Sequence, residues 1–264
     1  VSTRYRLLMA LGGLVVGVAT ATGCSGDTAI TRPVPADMLL SPVALPDGFT
    51  TAPLTVDDLT SANARQLDVA AAATVTPAQC RPVADVRFNK SLTPANAAVL
   101  GATSVNAGLT EVASTQTRDV VSDIRTSTRD CARTTTVLTT GSLKGAVITT
   151  DHVQLDDPAF ESSTPGYVGR VGSLRVVDVF VVRSTAVTRI ADGTASTSVS
   201  LAGYATGRFT FDAADAAPVT VQLTSSSTAT EFAAPAPTAI APMSDAAFVE
   251  LFGKALNAAG ATRR

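Results

Sequence analysis

Two hydrophobic periods divide this chain. From residue 134 onward most apolar positions recur at every second residue, the period of a half-buried strand. Strands are predicted at 134–140 and 146–153, on either side of a turn holding Gly141 and Gly145. The densest β-branched run, LRVVDVFVVR at 174–183, reads as a central strand buried on both faces. Asp192-Gly193 is the strongest hairpin signal and joins a strand at 186–190 to one at 196–204. Strands at 207–211 and 219–223 continue the meander.

Three stretches follow the helical period instead. Thr55-Val56-Asp57-Asp58 forms a capping box and opens a helix through Leu59, Asn63, Leu67 and Ala70 to about Ala73. Val120, Val121, Ile124 and Thr128 mark a second helix that ends beside Cys131. The clearest helix is C-terminal: Ser244 caps it, Phe248, Leu251, Phe252, Ala255, Leu256 and Ala259 share one face, and Gly260 stops it. Thr76-Pro77 starts a short turn that delivers Cys80. Residues 83–88 and 104–115 read as strands, and Thr93-Pro94 as the start of a short helix that stops at Gly101. The Ser/Thr/Ala/Pro stretch at 225–243 predicts a linker or loop. The fold class that results is α+β: a single domain, a largely antiparallel sheet with helices packed on it, and no internal repeat.

Before that domain lies a different pattern. Arg4 and Arg6 precede an apolar run at 7–20 that is short for a membrane span and suited to an export signal. The run closes on Ala21-Thr22-Gly23-Cys24, which resembles a bacterial lipobox. In such signals residues up to the cysteine are removed and the cysteine is acylated. The expected layout is therefore a lipoprotein signal peptide at 1–23 and lipidation at Cys24. A Pro-rich tether follows at 24–53, and the folded domain at 54–264, its C-terminal helix at 244–260. More than one acyl chain at Cys24 would hold the protein stably on the outer face of the cell membrane.

Composition sharpens this picture at a few points. At 264 residues and 45% hydrophobic, the chain has material for one real core. Its formal charge of −2 and the lack of a basic patch exclude nucleic acid as an expected partner. With Cys24 assigned to the anchor, Cys80 and Cys131 remain, an even pair in an exported chain, and predict one disulfide.

Candidate chemistry is sparse. His152 is the single histidine, and no G-x-S-x-G or S-x-x-K pattern supplies it with a nucleophile. A lone histidine near a strand end reads as a surface or hydrogen-bonded residue. Asp156, Asp157 and Glu161 lack the spacing of a calcium loop and read as a solvated loop. Gly166, Gly169 and Gly172 are spaced for a turn or bent strand, not for dinucleotide binding. No cofactor, no metal and no catalytic residue is expected.

Several of these features together resemble a known family. They are the lipobox at Cys24, Leu45-Pro46-Asp47-Gly48-Phe49 ahead of a capped helix and Thr76-Pro77-Ala78-Gln79-Cys80. With them go a second cysteine after a helix at Cys131 and the C-terminal amphipathic helix. This arrangement resembles the actinobacterial, largely mycobacterial, lipoproteins of the DUF5642 type and, more distantly, the extracellular sensor domain of PknH-type kinases. The resemblance implies helices packed on an antiparallel sheet and a cleft for an envelope ligand. Those kinase domains carry two disulfides where this chain can form one, so no ligand-site detail transfers.

The expected function is that of a non-catalytic ligand-binding or sensor-like module for an apolar or cell-wall-derived ligand. The alternative is a structural adaptor lipoprotein that binds another envelope protein and no small ligand. A third reading, hydrolysis through His152, would need a nucleophile brought in by the fold. A cavity separates the first two, because an adaptor would have a filled core.

Overall fold

The computed structural model describes residues 33–81, 91–116, 120–160, 168–209 and 217–261. The export signal with Cys24, the strand expected at 83–88, Glu161 and Gly166 lie outside the described residues. In chain order the elements are β1 (Thr50–Ala52), α1 (Val56–Ala72), β2 (Thr74–Thr76), β3 (Ala97–Thr103), β4 (Ala107–Ser114) and α2 (Val120–Asp130). There follow β5 (Arg133–Val137), β6 (Val147–Gln154), β7 (Gly169–Val171), β8 (Leu174–Arg189), β9 (Ala195–Phe209), β10 (Pro218–Ser227) and α3 (Asp245–Gly260).

Among the described residues the ten strands belong to one sheet in the order β1-β3-β4-β10-β9-β8-β6-β5-β2, with β7 paired to the first residues of β8. Every pairing is antiparallel. The domain is α+β, as its pattern predicts. β8 and β9 are the long central strands, of 16 and 15 residues, joined through the Asp192-Gly193 turn. Asp192 Oδ1 accepts from the Thr194 amide at 2.8 Å, and Gly193 takes φ +86°, which only glycine adopts without cost.

Three expectations about the sheet are corrected. The strands expected at 174–183 and 186–190 are one strand, and 207–209 continues β9 instead of forming a new strand. The short helix expected after Thr93-Pro94 is a turn followed by β3. Alanine-rich 97–103 is a fair helix former, but its pairing with both β1 and β4 overrides that propensity. Gly101 has a strand's reason to be glycine: a Cβ there would meet Leu54 at 2.8 Å and the Ala52 carbonyl at 3.0 Å. The segment expected as a loop from 225 begins as the end of β10. Its later part lies along the start of β9, where Ala233 and Ala195 exchange backbone hydrogen bonds and the Thr230 amide donates to the Thr197 carbonyl.

A bulge in β8 preserves the face of its side chains. Leu174 and Val176 pair normally, Val177 is extra, and pairing resumes at Asp178. The parity of buried residues therefore switches from even to odd, and Leu174, Val176, Val179 and Val181 all enter the same core. Without the extra residue, half of this strand would turn its valines to the wrong side.

Helices cover both faces. α3 fills one, placing Phe248, Leu251, Phe252 and Leu256 against Val181, Leu201, Ala205 and Leu223. Each such side chain contributes about 1.5–3 kcal/mol by leaving water. Gly203 on β9 admits Phe252, whose ring would lie 2.7 Å from a Cβ at that position. The stretch expected as a tether is part of the folded domain from Pro35 onward: short helical turns at Pro35–Met38 and Pro42–Ala44 pack on the same face and bury Met38 and Leu40, and β1 pairs into the sheet.

α1 and α2 lie on the other face, where Val56, Val120, Val121 and Ile124 join Val112, Phe180, Val182 and Tyr204. Arg125 of α2 donates to both carboxylate oxygens of Asp178 and to the Val179 carbonyl, with its guanidinium 5.6 Å from the Phe180 ring centre. The Cys80–Cys131 disulfide is formed, with Cα atoms 5.5 Å apart. It ties the turn after α1 and β2 to the end of α2, as the positions of the two cysteines predict.

One buried group stands out. Glu111 on β4 is fully buried on the α3 face, between its strand neighbours Leu100 and Leu223. Its Oε2 accepts from the Leu40 amide at 2.9 Å, while Oε1 has no partner. Burial pushes this carboxyl up to about 7, against the smaller opposing effect of the Leu40 N–H.

Candidate functional site

α1 is held at its ends and stands clear in its middle. The Thr55 hydroxyl accepts from the Asp58 amide at 3.1 Å, and the Asp58 carboxylate accepts from the Thr55 amide at 3.0 Å. Just before this box, β1 pairs with β3 at one edge of the sheet. At the far end β2 pairs with β5 at the opposite edge, and the disulfide follows. The helix thus bridges the two edges of one sheet. Only Val56 of its residues is fully buried. Leu59, Asn63, Leu67 and Ala70 recur at helical spacing along its underside, which faces a cavity of about 490 Å³ rather than packed side chains.

Register orders the floor of this cavity in rows. His152, Ser184, Ser200 and Ser226 are successive cross-strand partners on β6, β8, β9 and β10. Two residues along each strand, Val182, Ala202, Thr224 and Thr110 form the next row. Tyr204, Gln222 and Val112 form the third, with Phe180 next in register beyond the lining. The floor therefore grades from a hydroxyl-rich row to an aromatic and aliphatic one. Of the residues lining the cavity, none is an Asp, Glu, Lys or Arg.

His152 sits half-buried in the polar row, and its Nδ1 shares a hydrogen bond of 2.7 Å with Ser184 Oγ. Burial pushes the imidazole below its ordinary value, with the neighbouring Asp151 carboxylate partly opposing, so the ring is neutral at pH 7. The Ser226 hydroxyl donates to Ser200 Oγ at 3.0 Å. Two residues of the lining each carry an amide atom that is buried without a partner: Nδ2 of Asn63 on the helix and Oε1 of Gln222 on the floor. Buried polar groups normally find partners, so these two are the site's open valences.

Of the sequence candidates, the structure brings His152 into this cavity and gives it Ser184, a neighbour 32 residues away in the chain. Asp156 lies elsewhere, in a more open groove of about 790 Å³ between the 154–159 loop and the outer side of α3. Burial raises the Asp157 carboxyl, with the Arg125 guanidinium opposing. Among the described residues no group of three or more His, Cys, Asp or Glu side chains could hold a metal ion. Asn63 was legible only as a helix position, and Gln222 carried no sequence signal, because its neighbours are set by register. Among the described residues no helix is long and apolar enough to cross a membrane. No family model, curated protein or solved structure matches the chain.

Proposed function

We propose that this chain is an exported, lipid-anchored envelope protein whose domain binds a small ligand, without catalysis, in the cavity under α1. The observation that carries the reading is a cavity of ligand size whose lining includes Asn63 and Gln222, each with a buried amide atom that has no partner. A surface adaptor has no use for such a cavity. The export and anchoring part rests on Arg4, Arg6, the apolar run at 7–20 and the lipobox at Cys24, and is supported by a disulfide suited to an oxidising compartment.

Binding is favoured over hydrolysis by the setting of Ser184. It lies inside β8, laddered to β6 on one side and β9 on the other, so the strand's own amides are committed to the sheet. A tetrahedral intermediate at Ser184 would need amide donors that such a ladder does not release.

The test is native mass spectrometry of the full chain purified from the envelope of the cells that make it. A stoichiometric small molecule, lost on denaturation, is the expected result. An empty protein, repeated under gentle conditions, overturns the binding reading. In the same preparation Cys24→Ser is expected to move the chain from the membrane to the soluble envelope fraction, and continued membrane attachment overturns the anchor.

A further inference from the structure

The cavity's chemistry restricts what can occupy it. Resting on the reading of this cavity as a ligand site, we infer that its ligand is an uncharged, hydroxyl-rich molecule of one or two sugar rings. Asn63 Nδ2 and Gln222 Oε1 hydrogen-bond that ligand from above and below.

Three observations lead there. First, the lining holds no Asp, Glu, Lys or Arg, and burial holds the imidazole of His152 below its ordinary value. A charged ligand would leave water for a site without a counter-ion. Second, one open valence is a donor and the other an acceptor, on opposite walls. A hydroxyl both donates and accepts, so a polyhydroxylated ligand satisfies both. A purely apolar ligand would satisfy neither. Third, the polar row of His152, Ser184 and Ser200 adjoins an aliphatic and aromatic surface of Val182, Ala202 and Tyr204. A sugar presents the same two aspects, hydroxyl edges and a C–H face. The volume of about 490 Å³ lies in the lower half of the range for small-ligand pockets and admits a disaccharide.

His152 is the chain's only histidine and gives the experiment its reporter. The untagged full chain, labelled with ¹³C in the imidazole, is titrated with maltose, trehalose, cellobiose, N-acetylglucosamine and chitobiose, and separately with palmitate. The expected result is a saturable shift of the His152 resonances with at least one sugar. Asn63→Leu and Gln222→Leu should each weaken that binding about fivefold, the worth of one net hydrogen bond. Both variants should keep or raise Tm, since each removes a buried polar atom that has no partner; a merely structural role would lower it. Sugar binding that both variants leave unchanged overturns the assigned contacts. A His152 shift with palmitate alone, insensitive to both substitutions, overturns the ligand class and leaves the cavity a ligand site. Silence with every probe overturns the site itself.

Discussion

Replacing Glu111 with glutamine tests the clearest electrostatic consequence of the fold. Glu111 is fully buried, one carboxylate oxygen accepts from the Leu40 amide, and the other has no partner. Burial raises the folded-state pKa from 4.5 to about 7. The folded chain therefore holds this proton more tightly than the unfolded chain does. The stabilisation is fully present below the unfolded value of 4.5 and is lost as pH rises through about 7. Between pH 5 and pH 8.5 the loss comes to about 2.5 kcal/mol. Glu111→Gln keeps an acceptor for Leu40 and carries no charge. Its amide N–H₂ replaces the partnerless oxygen, much as the protonated acid's O–H does. The variant should match the wild type near pH 5 and exceed it by about 2.5 kcal/mol at pH 8.5. His152 contributes an opposite slope, because its depressed pKa gives stability that is present above the unfolded value of 6.5 and is lost as pH falls below it through the lower folded value. That contribution is common to both proteins and cancels in the difference. Urea unfolding of the two chains at five pH values measures it. Parallel stability curves from pH 5 to 8.5 would refute the assignment of a buried, proton-holding carboxyl.

Two further perturbations probe the packing on either face. Cys80→Ser with Cys131→Ser opens a loop spanning 51 residues, and urea unfolding should show a loss of about 4 kcal/mol; equal stability would mean the crosslink constrains nothing. Gly203→Ala places a Cβ 2.7 Å from the Phe252 ring and should cost about 1–3 kcal/mol. Combined with Phe252→Ala, its cost should largely vanish, since the clash goes with the ring; strictly additive losses would show that the two residues do not meet.

Much of the architecture was legible because local rules and tertiary pairing agree. The capping box at Thr55 and Asp58, the Asp192-Gly193 hairpin and the one-faced C-terminal helix capped by Ser244 each carry their own physical signal. The errors fell where they disagree. Residues 97–103 are alanine-rich and follow a Thr-Pro pair, but neighbours on both sides make them a strand. The three-residue strands β1 and β2 were missed, being too short to show a period. β8 was divided at Ser184 and Thr185, a polar pair that interrupts its apolar run and hides its continuity.

The sequence by itself determined the fold class, the N-terminal caps of α1 and α3, the Cys80–Cys131 pairing and the buried faces of α2 and α3. These depend on residues near one another in the chain, or on a pair with no alternative. The cavity was decided only in three dimensions. His152 meets Ser184, and Ser200 meets both Ser184 and Ser226, because β6, β8, β9 and β10 align in one register. Asn63 faces Gln222's wall because β1 and β2 take opposite edges and stretch α1 between them. No local period encodes which strands become edges: that choice is made by long-range pairing, and with it the cavity under α1.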